Sequence, residues 1–388
     1  MSLGSKLTAQ HAPPEAGTAL AAATASLSAV TAVKPAALEA LAARILAAAG
    51  AGTDEAARVA RHLVASDMVG HASHGVLRLR QYVEQIKKGQ INVKTKPTVE
   101  LDLPGVAVMD GGYGFGQVGA DIATRMACKK AQTQGIAMVS LRRSAHVGRL
   151  GDWVELAAEL GCVSLHFVNT LSAPMVAAWG GRERRLSTNP LAWGMPVQGG
   201  ASIVVDLTTS VVAEGKVRLA NAAGQSIPAG WVVDSKGLDA TDPAALYAGG
   251  ALRALGGLDA GHKGYALSLM VDLMAGALSG GGASGPNQPI NTNNFTAIAI
   301  SPQAMGRGAE IAQEAERFSN WLRSSTPTDP ARPVLLPGDV ERAQRDKHLA
   351  NGLALGEGLV RALQEAAQLV GLAPELVRQM LKNEIQTT

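Results

Sequence analysis

The chain is short of cysteine, aromatics and net charge. Its two cysteines, Cys128 and Cys162, sit far apart in 388 residues. They cannot build a disulfide framework and have no metal-like spacing, so reduced thiols in a cytoplasmic protein are expected. Phe, Tyr and Trp together make up 3% of the chain, too little for a base-stacking surface. The formal charge is only +3. The densest basic group (Arg182, Arg184 and Arg185) is interrupted by Glu183, so nucleic acid is not an expected partner. The eight histidines form no HExxH or similar pattern, and no metal is expected. No stretch from Lys34 onward reaches the roughly 18–20 apolar residues that span a bilayer. The Ala/Thr/Ser-rich run Gly17–Val33 follows an acidic Glu15 and carries Ala where a signal peptide carries Leu. It reads as a disordered extension, with Met1–Ser5 resembling an added leader.

Ala and Gly dominate what remains, which suits closely packed helices and glycine turns around a small-molecule site. The length favours two domains or one enlarged core. Four regions follow: an extension over 1–33, a helical region over 34–104, an α/β region over 105–305 and a second helical region over 306–388. In the first helical region Leu38, Leu41, Ile45 and Leu46 form one stripe, and Thr53 is placed to cap a second helix. A third helix is predicted from about His74 to Lys88. β-like runs follow at Val106–Met109, Ile136–Leu141, Cys162–Val168, Ile203–Asp206 and Thr296–Ile300, with helices at Val118–Gln132 and Tyr265–Leu278 between them. Ser279–Pro289 reads as a flexible loop. Beyond Pro302 the pattern is helical again, the last two helices ending at Val370 and Ile385. The two helical ends are expected to pack together.

Two clusters carry chemistry. Ser73, His74, Arg78 and Tyr82 put an imidazole, a guanidinium and a phenol along one helix face. Arg binds carboxylates bidentately, and His exchanges protons near neutrality. The same spacing also describes a polar helix face capped by Ser73. The second cluster, Arg143, Ser144, His146 and Gly148, follows a strand, where α/β proteins place sites, although a lone His there also serves structure. Gly114, Gly116 and Gly119 satisfy GxGxxG between a strand and a helix. The acidic residue that should follow about 20 positions on is missing, and Arg142 and Arg143 stand there instead. A glycine-rich turn is the simpler reading.

Taken together, Ser73-His74-Gly75-Val76, Arg78, Tyr82, Gly89, Ile91-Asn92, Asp110-Gly111, Gly114 to Gln117, Ser144 to Gly148, Asn169-Thr170, Thr188-Asn189-Pro190, Asp206 to Thr208, Gly215-Lys216, Gly230-Trp231, His262 to Tyr265 and Leu336-Pro337-Gly338 resemble the malate/L-lactate dehydrogenase family, type 2. The resemblance covers about residues 70–350. It implies an α/β fold with a large mixed sheet, a non-Rossmann cofactor domain and a flanking helical domain built from both chain ends. It also implies a homodimer that interconverts a small 2-hydroxy acid and its 2-oxo acid with NAD or NADP. The cofactor would be held by Thr170, Asp206, Leu207, Thr208, His262, Lys263, Gly338 and Asp339. His74 or His146 would exchange the proton, with Ser73, Arg78 and Tyr82 beside them. Two other readings stay open: reduction of a cyclic imino acid, and a nicotinamide-binding module without catalysis. The chain departs from the family pattern at Arg143, Ala145 and Val147 around the second histidine, at Ser187 and at Asp339.

Overall fold

The computed structural model describes residues 31–171, 174–286 and 292–382. Residues 1–30 of the extension expected over 1–33, the end of the Ser279–Pro289 loop and the helix end expected at Ile385 lie outside these residues. The last three residues of that extension, Thr31–Val33, are instead an ordered strand, paired through backbone hydrogen bonds with Leu353–Leu355.

The described chain opens with strand β1 (Thr31–Val33) and helices α1 (Pro35–Ala48), α2 (Thr53–Met68) and α3 (Arg78–Lys87). Next come β2 (Thr98–Asp102), β3 (Val106–Asp110), α4 (Gly116–Gln134), β4 (Ile136–Ser144), α5 (Gly151–Glu159) and β5 (Val163–Thr170). Short strands β6 (Val176–Ala177) and β7 (Arg184–Leu186) lead to β8 (Leu191–Met195) and β9 (Ile203–Leu207). They are followed by α6 (Glu214–Ala222), β10 (Val232–Val233), β11 (Asp239–Ala240), α7 (Ala244–Tyr247), β12 (Ala251–Leu252) and α8 (Gly257–Asp272). α8 runs on as one π-helical stretch, Leu273–Ala277. The chain then forms β13 (Asn293–Ile300), α9 (Gly308–Arg323), α10 (Asp339–Asn351), β14 (Leu353–Leu355), α11 (Glu357–Leu369) and α12 (Pro374–Lys382).

The fold is mixed α/β, built on a seven-stranded sheet of order β2-β3-β4-β13-β5-β8-β9. Among its described pairings only β3–β4 is parallel. Helix α4 crosses between those two strands, as a parallel pair requires. Its inner face is nearly all methyl groups, Ala120, Ala123, Ala127 and Ala131, which pack with Val139, Leu141, Phe295 and Ala297 of the sheet. Such small side chains let the helix lie close. Gly119 takes this furthest, since a Cβ there would sit 2.6 Å from Leu141 Cδ2. A five-stranded sheet of order β11-β10-β12-β6-β7 forms a separate, smaller layer.

The stripe Leu38, Leu41, Ile45 and Leu46 is buried, as helical spacing demands. It shares one core with Val59 and Leu63 of α2, Leu79 and Val83 of α3, Leu363 of α11 and Val377 of α12. β1 pairs antiparallel with β14 and closes that layer. α9 lies elsewhere: its Ile311, Ala315, Phe318 and Leu322 face Trp193, Met195, Ile203 and Val205 across a groove of about 670 Å³. Thr53 is not a cap. Gly52 takes that position, with no side-chain cap.

Candidate active site

Helix α3 begins at Arg78, so His74 is not on the predicted helix face. His74 ends a separate 3-10 turn, Ala72–His74. Gly75 breaks the two apart with an extended backbone, φ −84° and ψ −161°. The Asp67 carboxylate accepts the Val76 N–H at 2.8 Å and holds the break in place. A Cβ on residue 75 would lie 1.9 Å from that carboxylate. Burial pushes the Asp67 carboxyl up to about 7.

The break still brings the predicted groups together. The His74 ring stacks on His146, with centroids 5.4 Å apart and planes 24° from parallel. Tyr82 Oη lies 2.7 Å from His146 Nδ1, and the Gln117 amide Nε2 donates to the same oxygen at 2.8 Å. Tyr82 is 1% exposed, and burial pushes its phenol up to about 12, so it keeps its proton. With Gln117 donating to the oxygen, the phenol hydrogen is free to bond His146 Nδ1. In that arrangement the proton of a neutral His146 sits on Nε2. Ser73 Oγ is 3.1 Å from His74 Nδ1. Arg78 donates from Nε to the Ser73 carbonyl at 2.7 Å and from Nη1 to Gln81 Oε1 at 2.8 Å. Its Nη2 has no partner among the described residues. Loss of water around the rings, reinforced by the Arg78 guanidinium, pulls His74 down to about 3 and His146 well below the ordinary imidazole range.

The turn that carries His146 explains the GxGxxG pattern. Tyr113 (φ 61°) and Arg143 (φ 50°) both adopt left-handed backbone, costly for side-chain-bearing residues. They are locked by the Tyr113 N–H bonding the Arg143 carbonyl at 2.6 Å, and the Ala145 N–H bonds the Gly114 carbonyl at 3.0 Å. A Cβ on Gly116 would lie 2.2 Å from the Ala145 carbonyl oxygen and 2.4 Å from that of His146. The motif therefore admits the protein's own backbone where a phosphate loop would admit a ligand. The two arginines are likewise committed. Arg142 pairs with Glu100 at 2.7 Å, and Arg143 pairs with Asp110.

The expected cofactor residues fall into separate groups. Thr170 Oγ1 accepts from Asn293 Nδ2 at 2.8 Å, and Thr208 Oγ1 donates to the Thr188 carbonyl at 2.8 Å. Leu207 pairs with Leu191 across β9 and β8. Asp206 accepts the Gly151 N–H at 2.7 Å and lies 3.7 Å from Arg149 Nε. Arg149 is three residues past His146, so Asp206 is tied to the histidine turn. His262 stands edge-on to Trp179 at 5.7 Å, and Lys263 is exposed without a polar partner among the described residues. Gly338 opens α10 in a left-handed conformation, while Asp339 accepts the Leu336 N–H at 2.8 Å and pairs with Arg323 and Arg342. His71, 3.2 Å from Glu341, links α10 to the Ser-His-Gly turn. Among the described residues, no hydrogen bond or ion pair joins His262 or Lys263 to the histidine cluster.

Gln117 belongs to the resembling segment Gly114 to Gln117, but its place inside the glycine motif gives no sign of a role of its own. Asp272 had no local signal, yet it accepts from Asn169 at 2.8 Å and from Asn189 at 2.9 Å, fixing both polar turns. The Asn189 Oδ1 and Gln117 Oε1 atoms are buried without partners among the described residues. Buried acceptors left free in this way suit the amide and hydroxyl donors of a nicotinamide nucleotide, and the unpaired Lys263 suits its phosphates. Among the described residues there is no His/Cys/Asp/Glu group able to hold a metal, and no helix is long and apolar enough to cross a membrane.

The family model for malate/L-lactate dehydrogenase matches residues 33–364. Hydroxycarboxylate dehydrogenase B of Escherichia coli (strain K12) is 35% identical over 337 residues, 85% of this chain and 91% of that protein. Delta(1)-pyrroline-2-carboxylate/Delta(1)-piperideine-2-carboxylate reductase of Pseudomonas syringae pv. tomato is 33% identical over 84% of this chain and 93% of that one. The solved structure of malate dehydrogenase from Pyrococcus horikoshii OT3 superposes with a TM-score of 0.79 at 32% identity, covering 88% of this chain and 96% of the other. With the motifs in order, the paired histidines in place and the match running through nearly the whole described fold, the chain belongs to the malate/L-lactate dehydrogenase family of oxidoreductases.

Proposed function

We propose that this enzyme interconverts a small 2-hydroxy acid and its 2-oxo acid with NAD or NADP. The observation that carries the reading is the free Nη2 of Arg78 beside two stacked imidazoles, one of them hydrogen-bonded to a buried phenol. Arg78 pairs with the substrate carboxylate and turns the 2-oxygen toward the rings. His146 holds a proton on Nε2 for that oxygen, and Tyr82 donates to Nδ1 to keep this tautomer. His74, oriented by Ser73, is the second candidate for the proton. Binding of a carboxylate neutralises Arg78, removes one cause of the depressed histidine pKa values and readies the rings for exchange. A bound nicotinamide supplies the hydride chemistry. Thr170, Thr208, Asn189, His262 and Lys263 would hold it, with Asp206, Leu207, Gly338 and Asp339 shaping the surrounding turns.

Reduction of a cyclic imino acid is the second reading, favoured by the likeness to the Pseudomonas syringae reductase. The same Arg78 would hold the ring carboxylate. A panel read by nicotinamide absorbance tests both. It pairs NADH and NADPH with pyruvate, oxaloacetate, 3-sulfopyruvate and Δ1-piperideine-2-carboxylate, and runs lactate and malate in reverse. Silence throughout, with cofactor binding intact by calorimetry, would leave a binding module.

We further propose a cytoplasmic homodimer. Both cysteines are buried and free. Leu269, Met270, Leu273 and Leu278 form an exposed apolar stripe along α8 and its extension, a surface that favours a second copy. Light scattering tests the assembly.

A further inference from the structure

His62 belongs to α2, outside every motif that carries the family resemblance, yet it grips the turn bearing His146. Its Nε2 accepts the backbone N–H of Arg149 at 2.9 Å, and its Nδ1 lies 2.9 Å from the Asp152 carboxylate. An imidazole that accepts at Nε2 carries its proton on Nδ1, so Asp152 fixes the tautomer. The ring stacks on Trp153 with centroids 4.7 Å apart and planes 8° from parallel. Trp153 in turn donates from Nε1 to the Val147 carbonyl at 3.1 Å. Asn293 Oδ1 accepts the Val147 N–H at 3.0 Å from the other side. Gly148, at φ +83°, leaves room for the ring, since a Cβ there would lie 1.9 Å from His62 Nε2. The residues either side of Gly148 are thus held at three backbone atoms, two of them through the His62–Trp153 stack.

We propose that His62 is a positioning residue for the dehydrogenase reaction. By holding the Arg149 N–H it sets the register of the 146–149 turn and so places His146 against Tyr82 and His74. The Asp152–His62–Arg149 chain does for the second histidine what Asp67 does for the first: a buried group on α2 holds a backbone N–H of the site. This rests on the reading of His146 as a proton carrier.

The test compares His62→Phe, His62→Gln, His146→Gln and the double variant His62→Phe/His146→Gln, each assayed for kcat, KM, NADH and NADPH affinity by calorimetry, and melting temperature. Phe keeps the stack on Trp153 and loses the acceptor; the Gln carbonyl restores it. His62→Phe is expected to lower kcat by about 10- to 100-fold, with KM and cofactor affinity little changed. His62→Gln should recover most of the loss, and the double variant should be no slower than His146→Gln alone. Multiplicative losses in the double variant would overturn the proposal and leave His146 as proton carrier. So would equal losses in Phe and Gln, or a fall in melting temperature that alone accounts for the lost rate. An unimpaired His146→Gln would overturn the proton-carrier reading itself, and the positioning role with it.

Discussion

Tyr82 and His146, 64 positions apart in sequence, meet at 2.7 Å across the junction of the helical layer and the sheet. Tyr82→Phe removes the hydroxyl that bonds His146 Nδ1 and, in the proposed reaction, holds its tautomer. Steady-state kinetics should show kcat lower by about 10- to 100-fold with KM nearly constant. Stability should fall by about 1–2 kcal/mol, because the Gln117 amide loses its acceptor.

In the proposed reaction Arg78 supplies the charge for the substrate carboxylate. Arg78→Met should raise KM for any 2-oxo or 2-hydroxy acid by roughly 100-fold, about 3 kcal/mol, while leaving cofactor affinity unchanged. A KM equal to that of the parent enzyme would remove the clamp.

Gly116→Ala asks what the glycine motif is for. The added methyl meets the carbonyls of Ala145 and His146, so the protein free of cofactor should melt earlier, by about 1–3 kcal/mol in stability, and lose activity as the turn moves. Intact stability with lost cofactor affinity would revive the phosphate-loop reading.

His166 is fully buried, and neither ring nitrogen has a partner among the described residues. Burial pulls its folded-state pKa from 6.5 down to about 3. A depressed histidine contributes stability that is present above 6.5 and lost as pH falls, by roughly 1.4 kcal/mol per pH unit until the folded ring itself protonates. His166→Leu should therefore protect the fold at acid pH, with a melting-temperature gain that grows as pH falls below 6.5. A gain independent of pH would contradict this account.

Asp67 has the opposite sign. Its folded-state pKa is raised from 3.8 to about 7, so the fold is favoured below 3.8 and loses that advantage as pH rises to 7. The neutral Asp67→Asn can still accept the Val76 N–H. Thermal melts should show it stabilising the protein by up to about 4 kcal/mol above pH 7, with the gain fading toward pH 4.

Much of the site was legible because Ser73, His74, Arg78 and Tyr82 fall within ten residues and their side chains declare carboxylate and proton chemistry. The geometry was less legible. Period counting carried the helix back to His74, because nothing local reveals that Gly75 turns extended there and that Asp67, nine residues before Val76, caps the N–H of the segment that starts anew. The principal strands and helices follow the apolar periodicity, but two-residue strands such as Val176–Ala177 are too short to show any alternation. β13 opens with Asn293 and Asn294, whose buried amides look like a loop until their partners across the sheet are known.

β1 and β14, over three hundred residues apart in the chain, also set an order of events during synthesis. The apolar faces of α1 and α3 rest on α11 and α12, so no ribosome can complete that layer before those two helices have emerged. Until then the face of α3 that meets α11 waits uncovered, while the sheet strands made after it can already pair. The helix of the candidate site is therefore made well before the helices that seal it, which makes it a place where a holding chaperone has much to protect.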